Sequence, residues 1–340
     1  MSTNLDRTRL QLRTPKTDDG RIPFHPILMM HAAYLNGHTY EEFMRDHRIL
    51  VEDNLRALEV YDHDAVSVIS DPFRETSAFG AKIHFDGNSS PRAEKLINSA
   101  ADIEALQIPD VGRCERTLDR IEGVALFRQK LGARFPVIGW VEGALAEAAD
   151  LMGMEDVMMQ MMLDPGMVHG LCDKTQRVAE DFAVAQIDAG ANIIGVGDAI
   201  CSQIPPEMYA EFAFARQKEL FRAIHERGAL VKLHICGDII HLLPYLAQLD
   251  VDILDVDHMV DMPDAYRTMG PEVMLCGNLD PVSVIMKGDR QLIRTKFEQV
   301  RAAIPLKNWI VMGGCEIPMF TPKENMTLLR EISRTEAVGF

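Results

Sequence analysis

The sequence predicts an α/β protein built as a (βα)8 TIM barrel with an N-terminal helical extension. Three observations carry this prediction. Strand-like and helix-like stretches alternate about seven times along the chain, the rhythm of parallel strands joined by right-handed helical crossovers. No composition break or long linker interrupts it, so residues 21–340 read as one barrel domain behind a flexible lead-in over residues 1–20. Polar residues and glycines recur where strands stop, at Asp71, Glu142, Asp198, His234 with Cys236, Asp257 with His258, Asn278 with Asp280, and Cys315 with Glu316. In a closed barrel those ends converge on one mouth, whereas an open sheet would spread them along an edge.

Taken in order, Thr39 caps a helix expected from Tyr40 to about Val60, with Glu42 at the capping-box position. Ala65–Ser70 is a short buried strand ended by Asp71-Pro72, and residues 73–92 are loop-rich, with Gly80, Gly87 and Pro91. Leu118–Leu131 reads as a helix and Pro136–Val141 as a strand, with Glu142 and Gly143 at its end. Asp164 as cap and Pro165 at the first helical position start a helix running to about Ala189. Asn192–Val196 is a strand closing at Gly197-Asp198, and Pro205-Pro206 starts a helix to His225 or Glu226. Leu230, Val231, Leu233 and Ile235 give the next strand its apolar, partly β-branched character before Cys236, Gly237 and Asp238. A helix over Ile239–Gln248, a strand over Val251–Val256 and a short strand over Glu272–Cys276 follow; the last ends at Gly277-Asn278-Leu279-Asp280-Pro281. A helix from Asp289 to Ala303 precedes the strand Trp309–Met312, which runs into Gly313, Gly314, Cys315 and Glu316. Thr321-Pro322-Lys323-Glu324 carries the capping-box pattern of a last helix.

Composition narrows the function classes. Against 51 acidic residues stand 35 Lys and Arg, a formal charge of −16 that argues against nucleic acid or an anionic membrane as partner. No apolar run reaches the ~20 residues of a membrane span, and Met1–Lys16 lacks the apolar core of a signal peptide. Six scattered cysteines, in a chain long enough to need no disulfide staples, fit a reduced, cytoplasmic setting. A homodimer is compatible with this composition. Met152, Met154, Met158, Met159, Met161 and Met162 crowd one helical region and read as core and helix-face packing.

Successive side chains on a strand point to opposite faces, so His234 and Cys236 share a face at the end of their strand. An imidazole and a thiol held there make half of a zinc site, and Cys315, at the end of another apolar strand, is the candidate third ligand. The competing reading is structural, since cysteine often behaves as a small buried hydrophobe. Cys114, Cys172, Cys201 and Cys276 have no partner at useful spacing and are read as structural. Asp198 and Asp280 either line a pocket or cap helices, Asn278 either lines a pocket or shapes its turn, and His31 either contacts substrate or lies at the surface.

Ser70-Asp71 with Gly80 downstream, Val137-Ile138-Gly139 before Glu142-Gly143, Ala189-Gly190-Ala191 before Gly197-Asp198, Gly277-Asn278-Leu279-Asp280-Pro281 and Thr321-Pro322-Lys323-Glu324-Asn325 together resemble the uroporphyrinogen decarboxylase superfamily over roughly residues 20–335. One branch decarboxylates four-carboxylate porphyrinogens. Another holds corrinoid-dependent methyltransferases, such as methylcobamide:coenzyme M methyltransferases, with a His-x-Cys…Cys zinc site. His234, Cys236 and Cys315 match the second branch, and Met30-His31-Ala32-Ala33 stands where decarboxylases carry Arg-Gln-Ala-Gly-Arg. The resemblance implies Zn2+ on His234, Cys236 and Cys315, with its fourth position left for substrate, water or a displaceable side chain among Glu316, Asp257, His258 and Glu142. It implies methyl transfer between a corrinoid (methylcobalamin), supplied by a partner protein, and a small donor or acceptor such as a thiol. Asp71 and Glu142 are then the candidate catalytic residues, and Asp198, Asn278, Asp280 and His31 the candidate substrate contacts. Asp71 also matches the catalytic aspartate of the decarboxylases, so decarboxylation is the alternative activity.

Overall fold

The structure, a computed structural model, describes residues 22–334. The lead-in expected over residues 1–20 lies outside the described residues. The strands, in chain order, are β1 (Val66–Ser67), β2 (Ile83–His84), β3 (Arg92–Ala93), β4 (Val137–Glu142), β5 (Ile193–Gly197), β6 (Leu230–His234), β7 (Ile253–Val256), β8 (Met274–Leu279) and β9 (Trp309–Gly313). Seven of them form a parallel sheet ordered β1-β4-β5-β6-β7-β8-β9, while β2 and β3 make a small antiparallel ribbon.

The two edge strands of the sheet are joined by the residues around Phe24. Phe24 forms a parallel bridge with Val311 of β9, and His25 N–H donates to the Val311 carbonyl at 3.0 Å. On the other side Asp64 N–H, just before β1, donates to the Phe24 carbonyl at 2.9 Å. This segment acts as an eighth stave, and the sheet takes the TIM-barrel-like form the strand–helix rhythm predicts.

Alternation along the strands divides the core. Leu230 and Ile253 join Ile138, Trp140, Ile193 and Met312 in a cluster inside the barrel. Val231, Leu233, Leu254 and Leu275 face outward into the layer under the helices. Trp140 can lie across β5 because Gly195 has no side chain: a Cβ there would stand 2.1 Å from the indole ring.

Several expected elements change shape in the fold. Thr39 and Glu42 form the capping box, but the helix breaks at Asp46, which is extended (φ −134°) and accepts from Arg48 N–H, giving Tyr40–Arg45 and His47–Tyr61. Residues 73–92 hold a helix (Arg74–Ala78) and part of the β2–β3 ribbon instead of an irregular loop. The helix expected over Ile239–Gln248 shortens to Leu243–Leu246, and β8 continues past Cys276 to Leu279 because β9 pairs with it that far. The last helix, Lys323–Ser333, has no side-chain cap; Thr321 Oγ1 donates instead to the Pro318 carbonyl at 2.8 Å. The methionine-rich region is two helices, Ala144–Met152 and Met154–Leu163. Met152 and Met161 are buried as expected, but Met162 is 73% exposed, so that helix face is not packed. No helix among the described residues is long and apolar enough to cross a membrane.

Candidate metal centre

Strand β6 delivers Leu230, Lys232 and His234 to the barrel interior in turn, and Cys236 follows where the strand opens into the turn at Gly237. Cys315 arrives from the end of β9, across the barrel in the sheet order. The three ligand atoms converge: His234 Nε2 lies 2.9 Å from Cys236 Sγ and 3.8 Å from Cys315 Sγ, and the two sulfurs are 3.5 Å apart. Zn–S and Zn–N bonds of about 2.3 and 2.0–2.1 Å imply tetrahedral edges of roughly 3.5–3.8 Å. Both separations to Cys315 match that range; the His234–Cys236 pair would open slightly around an ion. The donor set of one imidazole and two thiols suits zinc, and three ligands leave a fourth position for another group.

The register of β6 and β7 sets Asp255 opposite His234. Asp255 Oδ2 is 3.0 Å from His234 Nδ1, which directs Nε2 toward the cysteines. Asp255 Oδ1 takes Lys232 Nζ, which also lies 3.6 Å from Cys276 Sγ. Burial opposes a charge on His234, but its bonds to Asp255 and Cys315 outweigh that and raise it to about 10. The hydrogen bond from Cys236, with His234 helping and burial opposing, lowers Cys315 to about 4. Donating that bond, together with burial, pushes Cys236 up.

Around this centre the remaining candidates separate into two groups. Glu142, at the end of β4, accepts from Arg74 Nη2 through Oε1 at 2.9 Å. Its Oε2 lies over Gly197, the residue paired with His234; a Cβ there would be 2.7 Å from that oxygen. Burial, opposed by Arg74 and aided by the Glu75 carboxyl, pushes Glu142 up to about 8. Glu316 accepts from Met30 N–H at 2.9 Å, and burial pushes it up to about 7. Asp257 accepts from Gly237 N–H at 3.0 Å, and its other oxygen is 2.7 Å from His258 Nδ1.

The other predicted residues make hydrogen bonds within the protein, and Asn278 and Asp280 also line a cavity with His258. Asp71 accepts four hydrogen bonds: from Phe73 N–H and Arg116 Nη1 on Oδ1, and from Ser70 Oγ and Arg116 Nη2 on Oδ2. Burial opposes its charge, but Arg116 holds it well below the usual carboxylate range. Asp198 is buried beneath Gly143 and accepts from Ala146 N–H and Gln217 Nε2. Asp280 caps the turn Pro281–Met286, and Asn278 donates to the Val260 carbonyl at 2.7 Å. His31 is not at the surface: it is 2% exposed and bridges the Tyr61 hydroxyl and the Met319 carbonyl.

Lys232, Asp255, Arg74, Glu75 and Arg116 were not foreseen. A lysine inside an apolar strand, on the same face as His234, was a visible signal for the first. The others depend on register and on loops far apart in the chain.

Comparison with known proteins agrees with this architecture. The family model described as uroporphyrinogen decarboxylase (URO-D) matches residues 6–335. A uroporphyrinogen decarboxylase from Neisseria meningitidis is 23% identical over 300 residues, covering 83% of each chain. One from Thioalkalivibrio sulfidiphilus is 29% identical over 268 residues, covering 74% of each. A solved methyltransferase structure from Methanosarcina mazei superposes with a TM-score of 0.86 at 20% identity, over 98% of both chains, and so shares the fold.

Proposed function

Because the chain belongs to the uroporphyrinogen decarboxylase family, we propose that it uses that barrel as a zinc-dependent methyltransferase, moving a methyl group between a corrinoid on a partner protein and a small molecule such as a thiol. The observation that carries this reading is the convergence of His234, Cys236 and Cys315 at the ends of β6 and β9, with Asp255 behind the histidine. Zinc held there supplies a Lewis acid that lowers the cost of ionising an incoming thiol. In the direction of thiol methylation the S–CH3 bond forms as the Co–C bond breaks. The electron pair stays on cobalt, giving cob(I)alamin, and the thiol proton is released.

The chain's own residues divide the remaining work. Asp255, neutralised by Lys232, orients His234 and fixes which ring nitrogen faces the cysteines. Glu142, held by Arg74, presents Oε2 as the group that takes the thiol proton; a carboxyl near 8 is well matched to a thiol of ordinary pKa ~8.5. Tyr34, on the helix Met30–Asn36 that follows the first stave, and Phe320, in the turn after β9, are in edge contact at 5.2 Å and leave exposed aromatic surface suited to the apolar face of a large macrocycle. Decarboxylation through Asp71 is the weaker reading, because all four hydrogen bonds that this carboxylate accepts come from the protein itself.

Metal analysis by mass spectrometry tests the proposal. About one zinc per chain is expected in the wild type, with loss in Cys236→Ser. No zinc in the wild type after resupply would refute it and return attention to Asp71.

A further inference from the structure

A cavity of about 600 Å³ is walled by the loop after β7, the end of β8, the turn Pro281–Met286 and the helix Arg290–Ala303. It is separate from the metal centre: His234, Cys236 and Cys315 do not line it. Its wall includes Val260, Leu279 and Val284, which belong to the layer under the helices and not to the cluster inside the barrel. The volume is that of a small-molecule site.

The polar groups of the cavity divide by what already holds them. Asp280 accepts from Val282 N–H and Ser283 N–H on one oxygen and from the Ser283 hydroxyl on the other. His258 stands between Asp257 at 2.7 Å and Asp280 at 3.7 Å. Asn278 spends its amide N–H on the Val260 carbonyl. Three groups remain. Lys296 and Gln299, exposed on the helix Arg290–Ala303, make no ion pair or side-chain hydrogen bond among the described residues. Asp261, at the start of the helix Met262–Met269, accepts from Asp264 N–H through Oδ1 at 3.0 Å, and its other oxygen has no partner among the described residues. An ammonium and a carboxylate oxygen thus line one cavity from different walls without pairing. A ligand with a single charge leaves one of them unanswered and meets like charge on the other wall, whereas a zwitterion answers both. Met259, Met262, Pro263 and Val300 line the same cavity, and thioether sulfurs make favourable contacts with an aromatic ring.

We propose that this cavity is a binding site for a zwitterion of the α-amino-acid type with a large apolar side chain, its carboxylate on Lys296 and Gln299 and its ammonium on Asp261. The inference does not depend on the methyl-transfer reading, because no ligand of the metal centre takes part.

Isothermal titration calorimetry on the full chain tests it with three probes: L-phenylalanine, 3-phenylpropionate, which keeps only the negative charge, and 2-phenylethylamine, which keeps only the positive one. At low salt phenylalanine should bind at least about tenfold more tightly than either analogue. Lys296→Gln should weaken phenylalanine about tenfold without weakening 2-phenylethylamine. Asp261→Asn, which keeps a good helix cap, should weaken phenylalanine by a similar factor without weakening 3-phenylpropionate. Cys236→Ser separates this site from chelation of a metal ion by the amino acid, and phenylalanine should bind it as it binds the wild type. Phenylalanine that binds no better than its one-charge analogues, keeps its affinity in Lys296→Gln, loses it in Cys236→Ser, or shows no binding at millimolar concentration overturns the inference and leaves the metal centre standing.

Discussion

At the scale of single residues, the site is defined by which polar atoms still have a free valence. Asp71, the residue that most resembles a decarboxylase's catalytic group, accepts bonds from Ser70, Phe73 and both terminal nitrogens of Arg116. Glu142 has one oxygen tied to Arg74 and the other aimed over a glycine. Its carboxyl, raised to about 8, is protonated at neutral pH and becomes a proton acceptor as pH rises. Thiol methylation by the wild type should therefore increase through about pH 8. In Glu142→Gln that inflection should disappear and kcat fall about 10²-fold, the usual scale for a lost proton-transfer group. A pH–rate profile of both proteins with methylcobalamin decides it; an unchanged profile would remove Glu142 from the chemistry.

At the scale of elements, strand register does what side-chain identity cannot. Pairing of β6 with β7 sets Asp255 against His234, and the same inward face of β6 brings Lys232 onto that carboxylate. Replacing Asp255 by Asn keeps the shape but weakens the hold on Nδ1 and the pairing of a buried lysine. We expect metal affinity to fall about 10–100-fold, measured by competition with a chromogenic chelator. The cobalt(II) form should show a shifted visible spectrum if the histidine reorients. Wild-type affinity in Asp255→Asn would mean that the strand pairing serves folding alone.

At the scale of the whole molecule, an unusual number of carboxyls are buried together. Burial pushes Glu142 up to about 8, and burial with neighbouring acids pushes Glu147 and Asp150 well above their ordinary range. Between about pH 4.5 and 8 the folded chain keeps protons that the unfolded chain releases, so stability falls as pH rises through that window. Asp71 works in the opposite sense: its depressed value stabilises above the unfolded pKa and is lost in acid. Thermal unfolding should therefore show a maximum Tm at mildly acid pH, near about 5, and a steady decline toward pH 9. Glu147→Gln, which keeps an oxygen for the Thr76 hydroxyl, should flatten that decline. A Tm that climbs from pH 5 to 9 would contradict this assignment of charge.

The chain's own order determined the barrel, because strand periodicity, proline-started helices and the glycines after each strand are local features. It also exposed the His234-x-Cys236 pair, since a strand's two-residue period needs no tertiary information. What only folding decided was which acids are free to act. Asp71, Asp198, Asp280 and Glu142 look alike in sequence, each near a strand end, yet three of them are bound into loops and helices while one keeps an oxygen free of the hydrogen bonds that hold it. The partners responsible for the first three, Arg116, Gln217 and Ser283, come from positions 3 to 45 residues away. For Glu142 the separation from Arg74 is 68 residues. Hydrogen-bond saturation is a property of the packed neighbourhood, and no spacing rule along the chain encodes it.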